Sequence, residues 1–293
     1  MDSNVVEVLY NIYHRKLSKV SVEYKRYLYE NINWTSRLIG IKGSRGVGKT
    51  TLLLQYIKCT FADVDNAFYI SLDDLWFKTH SLMELVEYVY THGVTHLFLD
   101  EVHRYPDWSQ ILKNIYDSYS DLYLVYAGSS MLEIDNSKVD LSRRQTVYVM
   151  SGLSFREYLA FEGVIFLAPF SLDDLVSRHV ATAMEITSSI KILPLFEKYL
   201  KNGYYPFYKE AGEDYLLRLQ GVASLVIDAD LPAVEEIEYS TVQKAKKMLM
   251  ILAERVPFTP NISQLCKELE TTRDVGLKLL YALERAVLLK LLT

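Results

Sequence analysis

The sequence predicts an α/β fold: a five-stranded parallel sheet flanked by helices, then a mostly helical region, then a short C-terminal unit. Three observations predict it. Residues 43–50 read GSRGVGKT, a glycine-rich loop set between an apolar run and the helical run TLLLQYIK. Five short apolar runs, at 37–41, 67–72, 95–99, 122–127 and 146–150, alternate with helical patterns. That alternation signals parallel strands joined by crossover helices. From about residue 153 the strand signal stops and helical patterns take over.

Taken in order, residues 1–32 carry apolar side chains at helical spacing, with Val5, Val8, Leu9, Ile12 and Tyr13 forming the predicted stripe. They are expected to form one or two amphipathic helices packed on the core. Residues 33–152 are the expected sheet core. Its runs HLFLD and LYLVYAG are continuously apolar, as strands covered on both faces should be. Residues 153–238 read as helices broken at Pro169, Pro194, Gly203 and Pro206, and IDADLPAVEEIEY (227–239) is the expected link. Residues 239–293 read helix, turn, helix, turn, helix, strand, the order of a winged helix. A near capping box from Thr271 to Asp274 opens the third helix. Leu265, Leu269, Leu279, Leu280 and Leu283 recur at helical spacing and are expected to face inward.

Composition bounds the function. The chain has 293 residues, 50% hydrophobic and 24% charged, a globular balance with room for two domains. The start, MDSNVVEVLYNIYHRKL, lacks the long apolar core of a signal peptide. No run approaches the ~18 apolar residues of a membrane span. Cys59 and Cys266 stand far apart without metal-ligand spacing, which suits reduced thiols in a cytoplasmic protein. The six histidines are dispersed, so a structural metal cluster is not expected. Net charge is −5, against a whole-protein nucleic-acid footprint. Residues 240–293 nevertheless carry nine Lys/Arg against five Asp/Glu, a basic tail on an acidic body.

The chemistry concentrates at three strand ends. GSRGVGKT is a complete G-x-x-x-x-G-K-[ST] phosphate loop in the strand–loop–helix context such a motif requires. Gly43, Gly46 and Gly48 allow tight turns and close approach of phosphates. Backbone amides of Ser44, Arg45, Val47 and Thr51, with the helix N-terminus, complete an anion nest. Lys49 is expected on the β- and γ-phosphates of ATP, and the Thr50 hydroxyl on Mg²⁺. The strand HLFLD ends in Asp100 and is followed by Glu101. Asp100 suits the Mg²⁺ shell, since that ion uses few carboxylates. Glu101 is placed to deprotonate a water facing the γ-phosphate. The next strand ends at Ser129 and Ser130, where a hydroxyl can sense the γ-phosphate or simply cap a helix; Ser129 is the preferred sensor. Asp73 and Asp74 fit either a carboxylate near Mg²⁺ or a helix cap. His103 is expected on the surface in a turn and Trp108 as an apolar anchor.

These parts match the AAA+ group of ATPases, with its Walker A loop and Walker B strand. The strings YISLDD, LFLDEVHRYPDWSQILKNIYD, YAGSSMLEI, DLSRR, GLSFREYL and GYYPF further resemble one family of bacterial and archaeal AAA-domain ATPases. The resemblance covers about residues 30–290. It implies a P-loop NTPase core, an α-helical lid at 153–238, a winged helix at 239–293 and usually a further C-terminal domain of unknown function. The final run AVLLKLLT reads as a first wing strand, so the winged helix is expected to be incomplete and the chain shortened or truncated. In AAA+ proteins an arginine just before the fifth strand reaches the neighbouring subunit's γ-phosphate. Arg143 and Arg144 stand there; as plain loop charges, one of them would pair with Asp140.

The leading expectation is Mg²⁺-dependent ATP hydrolysis coupled to a conformational change that acts on an unknown protein partner, in a homo-oligomer. One alternative is an ATP-gated DNA-binding regulator using residues 240–293. There the third helix carries Arg273, Lys278 and Arg285 but also Asp274 and Glu284, a weak DNA-reading face. The other is a P-loop kinase with Asp73 activating an acceptor hydroxyl. No N-K-x-D string is present to read guanine.

Overall fold

The computed structural model describes residues 3–129, 141–232, 239–255, 259 and 261–291. Ser130, Asp140, residues 233–238 of the expected link and the last two residues lie outside the described residues. Five strands form one sheet: β1 (Leu38–Lys42), β2 (Ala67–Ser71), β3 (His96–Asp100), β4 (Tyr123–Gly128) and β5 (Thr146–Val149). The order across the sheet is β2-β3-β4-β1-β5, and every pairing is parallel.

Strand positions agree with the apolar runs to within a residue or two. β1 and β4 are buried almost throughout, because helices cover both faces. β5 departs from that pattern: three of its four residues are exposed at one edge of the sheet, whereas β2 at the other edge is buried, with the helix Ser3–Lys19 packed against it.

The register decides where the chemistry sits. Lys42 pairs with Gly128, Leu99 with Tyr126 and Ser71 with Asp100. The carboxyl ends of β1, β3 and β4 therefore lie side by side, and the segments that follow them emerge along one sheet edge. Ligands of open parallel sheets bind at such an edge.

Helices fill the connections. They are α1 (Ser3–Lys19), α2 (Tyr27–Asn31), α3 (Lys49–Thr60), α4 (Leu82–Thr91) and α5 (Trp108–Ser118). After β5 come α6 (Phe155–Phe161), α7 (Leu172–Ser189), α8 (Ile192–Lys198), α9 (Tyr208–Ala211) and α10 (Tyr215–Leu225). The C-terminal helices are α11 (Tyr239–Glu254), α12 (Ile262–Glu268) and α13 (Arg273–Arg285).

α1 joins the main core as expected, on a stripe that keeps Leu9 and Tyr13 of the predicted one but not Val8. Val6, Leu9, Tyr13 and Leu17 are buried, while Val8 is 56% exposed. Spacings of three and four residues select that face, and the Tyr13 hydroxyl donates to the Val64 carbonyl at 2.9 Å.

A second cluster joins Val226, Ile227 and Leu231 to α11, α12 and α13. Leu265, Leu269, Leu279, Leu280 and Leu283 are all buried in it, as their spacing predicts. Two details are corrected. Thr272, not Thr271, caps α13, its hydroxyl accepting from the Val275 N–H at 3.4 Å. The expected wing strand is not formed among the described residues. Leu288, Leu289 and Leu291 instead pack back onto the helices, and the Leu291 N–H donates to Glu284 at 3.0 Å. A lone strand has no ladder to join, so burying its leucines is the better use of it.

Candidate nucleotide site

The loop between β1 and α3 is shaped by its glycines. Gly46 and Gly48 adopt φ of 81° and 98°, the left-handed region that side chains other than glycine's resist. Gly46 is also crowded: a Cβ there would stand 2.7 Å from a ring carbon of Phe207. Gly43 admits the chain because a Cβ would meet the Met150 carbonyl oxygen at 2.2 Å. Val47 anchors the loop with a fully buried side chain.

Lys49 opens α3 and is buried. Its ammonium donates to the Gly43 and Ser44 carbonyls at 2.8 and 3.0 Å, curling the loop around its own lysine. Burial pushes the Lys49 pKa down to about 8, against the pull of the Glu101 and Asp100 carboxylates. The Thr50 hydroxyl donates to Asp100 Oδ2 at 2.5 Å. Asp100 is buried and receives a second hydroxyl, that of Tyr69 on β2, at 2.9 Å. Burial, and then the Asp100 charge, raise the Tyr69 pKa, so this hydroxyl stays a donor.

Glu101 follows in the left-handed region with φ of 50°, a conformation that costs a glutamate energy and marks positions where geometry is imposed. Its backbone N–H donates to Asp100 Oδ1 at 3.0 Å, and Ser129 Oγ donates to its Oε2 at 2.7 Å. His103 Nε2 lies 3.5 Å from the same Oε2, beyond good hydrogen-bond geometry, and neither ring nitrogen has a hydrogen-bond partner among the described residues. The expectation of a surface histidine is corrected: a short 3₁₀ turn, Val102–Arg104, tucks the ring inside. Burial, followed by repulsion from Arg104, Arg45 and Lys49, lowers its pKa to about 3, so the ring is neutral.

Thr50, Asp100, Glu101 and Ser129 thus form one hydrogen-bonded polar group, which Lys49 adjoins in the chain. A cavity of about 570 Å³ opens from it, lined by Gly46 to Thr51, Glu101, Tyr24, Phe161 and Phe207. Phe207 belongs to the GYYPF string, which the sequence offered without a role. Gly43, Ser44 and Arg45 do not line the cavity. Arg45 turns away to Asp230, with Nη2–Oδ distances of 3.3 and 3.5 Å.

The remaining candidates do not converge here. Arg144 binds Asp117 bidentately at 2.9 and 3.0 Å, and Arg143 is exposed; neither lines the cavity. Asp73 accepts from the Ser71 hydroxyl at 2.6 Å. Asp74 caps a 3₁₀ turn by accepting from the Trp76 N–H, which favours the capping role. Trp108 is buried against Tyr126, as an anchor should be. Sequence reading missed Arg26, Tyr69, Glu157 and Asp230, whose partners lie far along the chain.

The site residues suit a nucleotide with Mg²⁺. A buried lysine and glycine amides offer a polyphosphate cradle, and adjacent hydroxyl and carboxylate oxygens are the hard ligands Mg²⁺ prefers.

Comparison with known proteins bears on this geometry. Residues 35–159 match the family model of an AAA domain. This segment is similar to an AAA domain. It carries the P-loop sheet and every residue of the hydrogen-bonded polar group.

The chain is 28% identical over 295 residues to the uncharacterized protein MJ1637 of Methanocaldococcus jannaschii, matching 93% of itself. It spans 62% of that relative's length. Among solved structures, AMPPCP-bound DnaA from Aquifex aeolicus is 16% identical with a TM-score of 0.33, covering 99% of this chain and 91% of that one. An Hsp104–ADP complex of S. cerevisiae is 18% identical with a TM-score of 0.37, covering 89% of this chain and 38% of that one. Likenesses at such scores carry no argument about this chain's partners. No helix among the described residues is long and apolar enough to cross a membrane.

Proposed function

We propose that this chain binds ATP with Mg²⁺ and hydrolyses it, using the resulting conformational change on a protein partner. One observation supports the reading: Thr50, Asp100, Glu101 and Ser129 are joined by contacts of 2.5–3.0 Å, and Lys49, Thr50 and Glu101 line a single cavity. Lys49 and the loop amides would hold the phosphates. Thr50 and Asp100 would hold Mg²⁺, whose charge would offset that of the phosphates. Glu101 would take a proton from the attacking water, and Ser129, bonded to Glu101, would orient that carboxylate. Residues 33–152 serve as the nucleotide core, 153–238 as the lid, and 239–293 as a C-terminal unit resting on the lid's end.

If an arginine acts on a neighbouring copy, Arg143 is the better placed, since its side chain is exposed while Asp117 holds Arg144. The kinase reading loses support because Asp73 is held by Ser71. On α13, Asp274 is exposed beside Arg273, a mixed face that suits protein contact as well as DNA.

Calorimetric titration of the full chain with Mg²⁺–ATP tests the reading. Lys49→Ala removes a buried, bonded charge and is expected to cost about 2–5 kcal/mol of binding, roughly 30-fold or more in affinity. Undiminished affinity in a folded Lys49→Ala protein would sink it.

A further inference from the structure

Arg26 sits just ahead of α2 and is 8% exposed. A guanidinium so deep is tolerated only when its donors are satisfied. Here they are satisfied by three separate parts of the molecule. Nη1 donates to the Val47 carbonyl in the phosphate loop at 2.8 Å. Nη2 donates to the Ser151 and Gly152 carbonyls, where the chain leaves the sheet, at 2.8 and 2.9 Å. Nε and Nη2 grip the Glu157 carboxylate on α6 at 2.8 and 3.3 Å. Glu157 is itself fixed, by the capping box with Ser154 and by the Tyr27 N–H at 3.0 Å.

The Val47 contact has a specific consequence. The peptide group is planar and trans, so a carbonyl and the N–H that follows it point in opposite directions. Val47 C=O and Gly48 N–H share one such plane. Glycines flank Val47 on both sides, each with positive φ, so the loop's own sterics do little to prevent that plane from turning. A fixed donor on the Val47 oxygen therefore sets the direction of the Gly48 N–H, in a residue that lines the cavity. Arginine suits the task because its rigid fork serves several acceptors at once, whereas a lysine is a point charge on a flexible stem.

We propose that Arg26 is a positioning residue for phosphate binding, holding the Val47–Gly48 peptide plane in its phosphate-facing orientation and tying it to the start of the lid. The proposal rests on the ATP reading above. It makes the loss from disturbing Arg26 one of ground-state binding, felt alike by ADP and ATP, because the loop grips both.

The test uses the full chain and four variants: Arg26→Lys, Glu157→Gln, the double variant Arg26→Gln/Glu157→Gln, and Lys49→Ala. ADP and a non-hydrolysable ATP analogue are titrated by calorimetry, and steady-state hydrolysis is measured alongside. Arg26→Lys is expected to bind both nucleotides about tenfold more weakly, the scale of one hydrogen bond to a charged group. KM should rise with kcat nearly unchanged, the mark of lost uniform binding. Amide exchange at residues 46–48 should quicken without nucleotide. The double variant leaves no buried charge orphaned, so it should fold even where Arg26→Lys does not, and it should show the same loss. Glu157→Gln alone keeps the Val47 bond and should lose no more than about threefold.

Wild-type affinity in folded Arg26→Lys or in the double variant overturns the proposal. So does a loss in Glu157→Gln as large as in the double variant, since the lid tether would then be the cause. If the wild type binds nucleotide and Lys49→Ala does not, those results fall on Arg26 alone. If the wild type binds none, both readings fall.

Discussion

Helices α3 and α7 are held in place by different means. α3 spans 12 residues and buries six, including Lys49, Leu52, Leu53 and Ile57. α7 spans 18 residues and buries none. Leu172, Val176 and Met184 are 75%, 71% and 67% exposed. What defines α7 is local: a capping box between Ser171 and Asp174. What defines α3 is the core beneath it. The difference suits their places. α3 carries the lysine and threonine of the phosphate loop, where small misplacements lose chemistry. α7 touches none of that group and has no such constraint on its position.

The largest effect should fall at the α3 end of the molecule. Glu101→Gln keeps the shape and the Ser129 contact but removes the base. Turnover is expected to fall by ~10²–10⁴ with nucleotide affinity little changed. Single-turnover hydrolysis beside equilibrium binding measures this. Unchanged turnover would make Glu101 a bystander and return weight to the kinase reading.

That end was also the more legible in sequence. The phosphate loop, Asp100 and Glu101 are read from neighbours in the chain, and the strands from runs that a covered parallel sheet demands. What escaped depends on distant partners. Arg26 is an unremarkable residue in EYKRYLYE until Val47, Ser151 and Glu157 close around it. Tyr69 looks like any strand tyrosine until β2 pairs with β3 and brings it to Asp100. His103 was misplaced because a single 3₁₀ turn buries it, and no periodicity announces so short an element. The wing strand failed for the opposite reason: its apolar pattern is real, but a strand also needs a partner, and a leucine-rich run serves a helical cluster equally well.

The comparison predicts unequal responses to the same kind of substitution. Leu53→Ala on α3 opens a cavity in the main core and should cost about 2–5 kcal/mol in urea unfolding. A cost below ~1 kcal/mol would mean that the core relaxes around α3, and the contrast with α7 would weaken.

Between the two helices lies the joint at Glu157. Burial alone would raise its pKa, but hydrogen bonds and charge from Arg26, with the Ser154 and Tyr27 N–H groups, hold it below the ordinary 4.5. The sign follows. A carboxylate depressed in the folded state adds stability that is complete above its unfolded value and is lost as pH falls through the folded one. Glu157→Gln should therefore melt lower than wild type near pH 7, with the gap closing as pH drops below about 4.5. Parallel melting curves from pH 7 to 3 would show that the joint contributes no linked protonation.

The smallest effects are expected on α7. Val176→Ser and Met184→Ser replace side chains that already lie mostly in water, so little transfer free energy is at stake. Neither opens a cavity, and each should change stability by no more than ~0.5 kcal/mol. The measurement is the urea midpoint at constant m-value, beside Leu53→Ala. Serine is the sharper choice than alanine, because a hydroxyl is costly only where water is excluded. A loss above ~1 kcal/mol from either change would mean that the α7 face is covered when the protein unfolds from its solution state. Repeating the midpoint at tenfold dilution would then separate a covering copy of the chain, whose effect weakens on dilution, from a contact within it, whose effect does not.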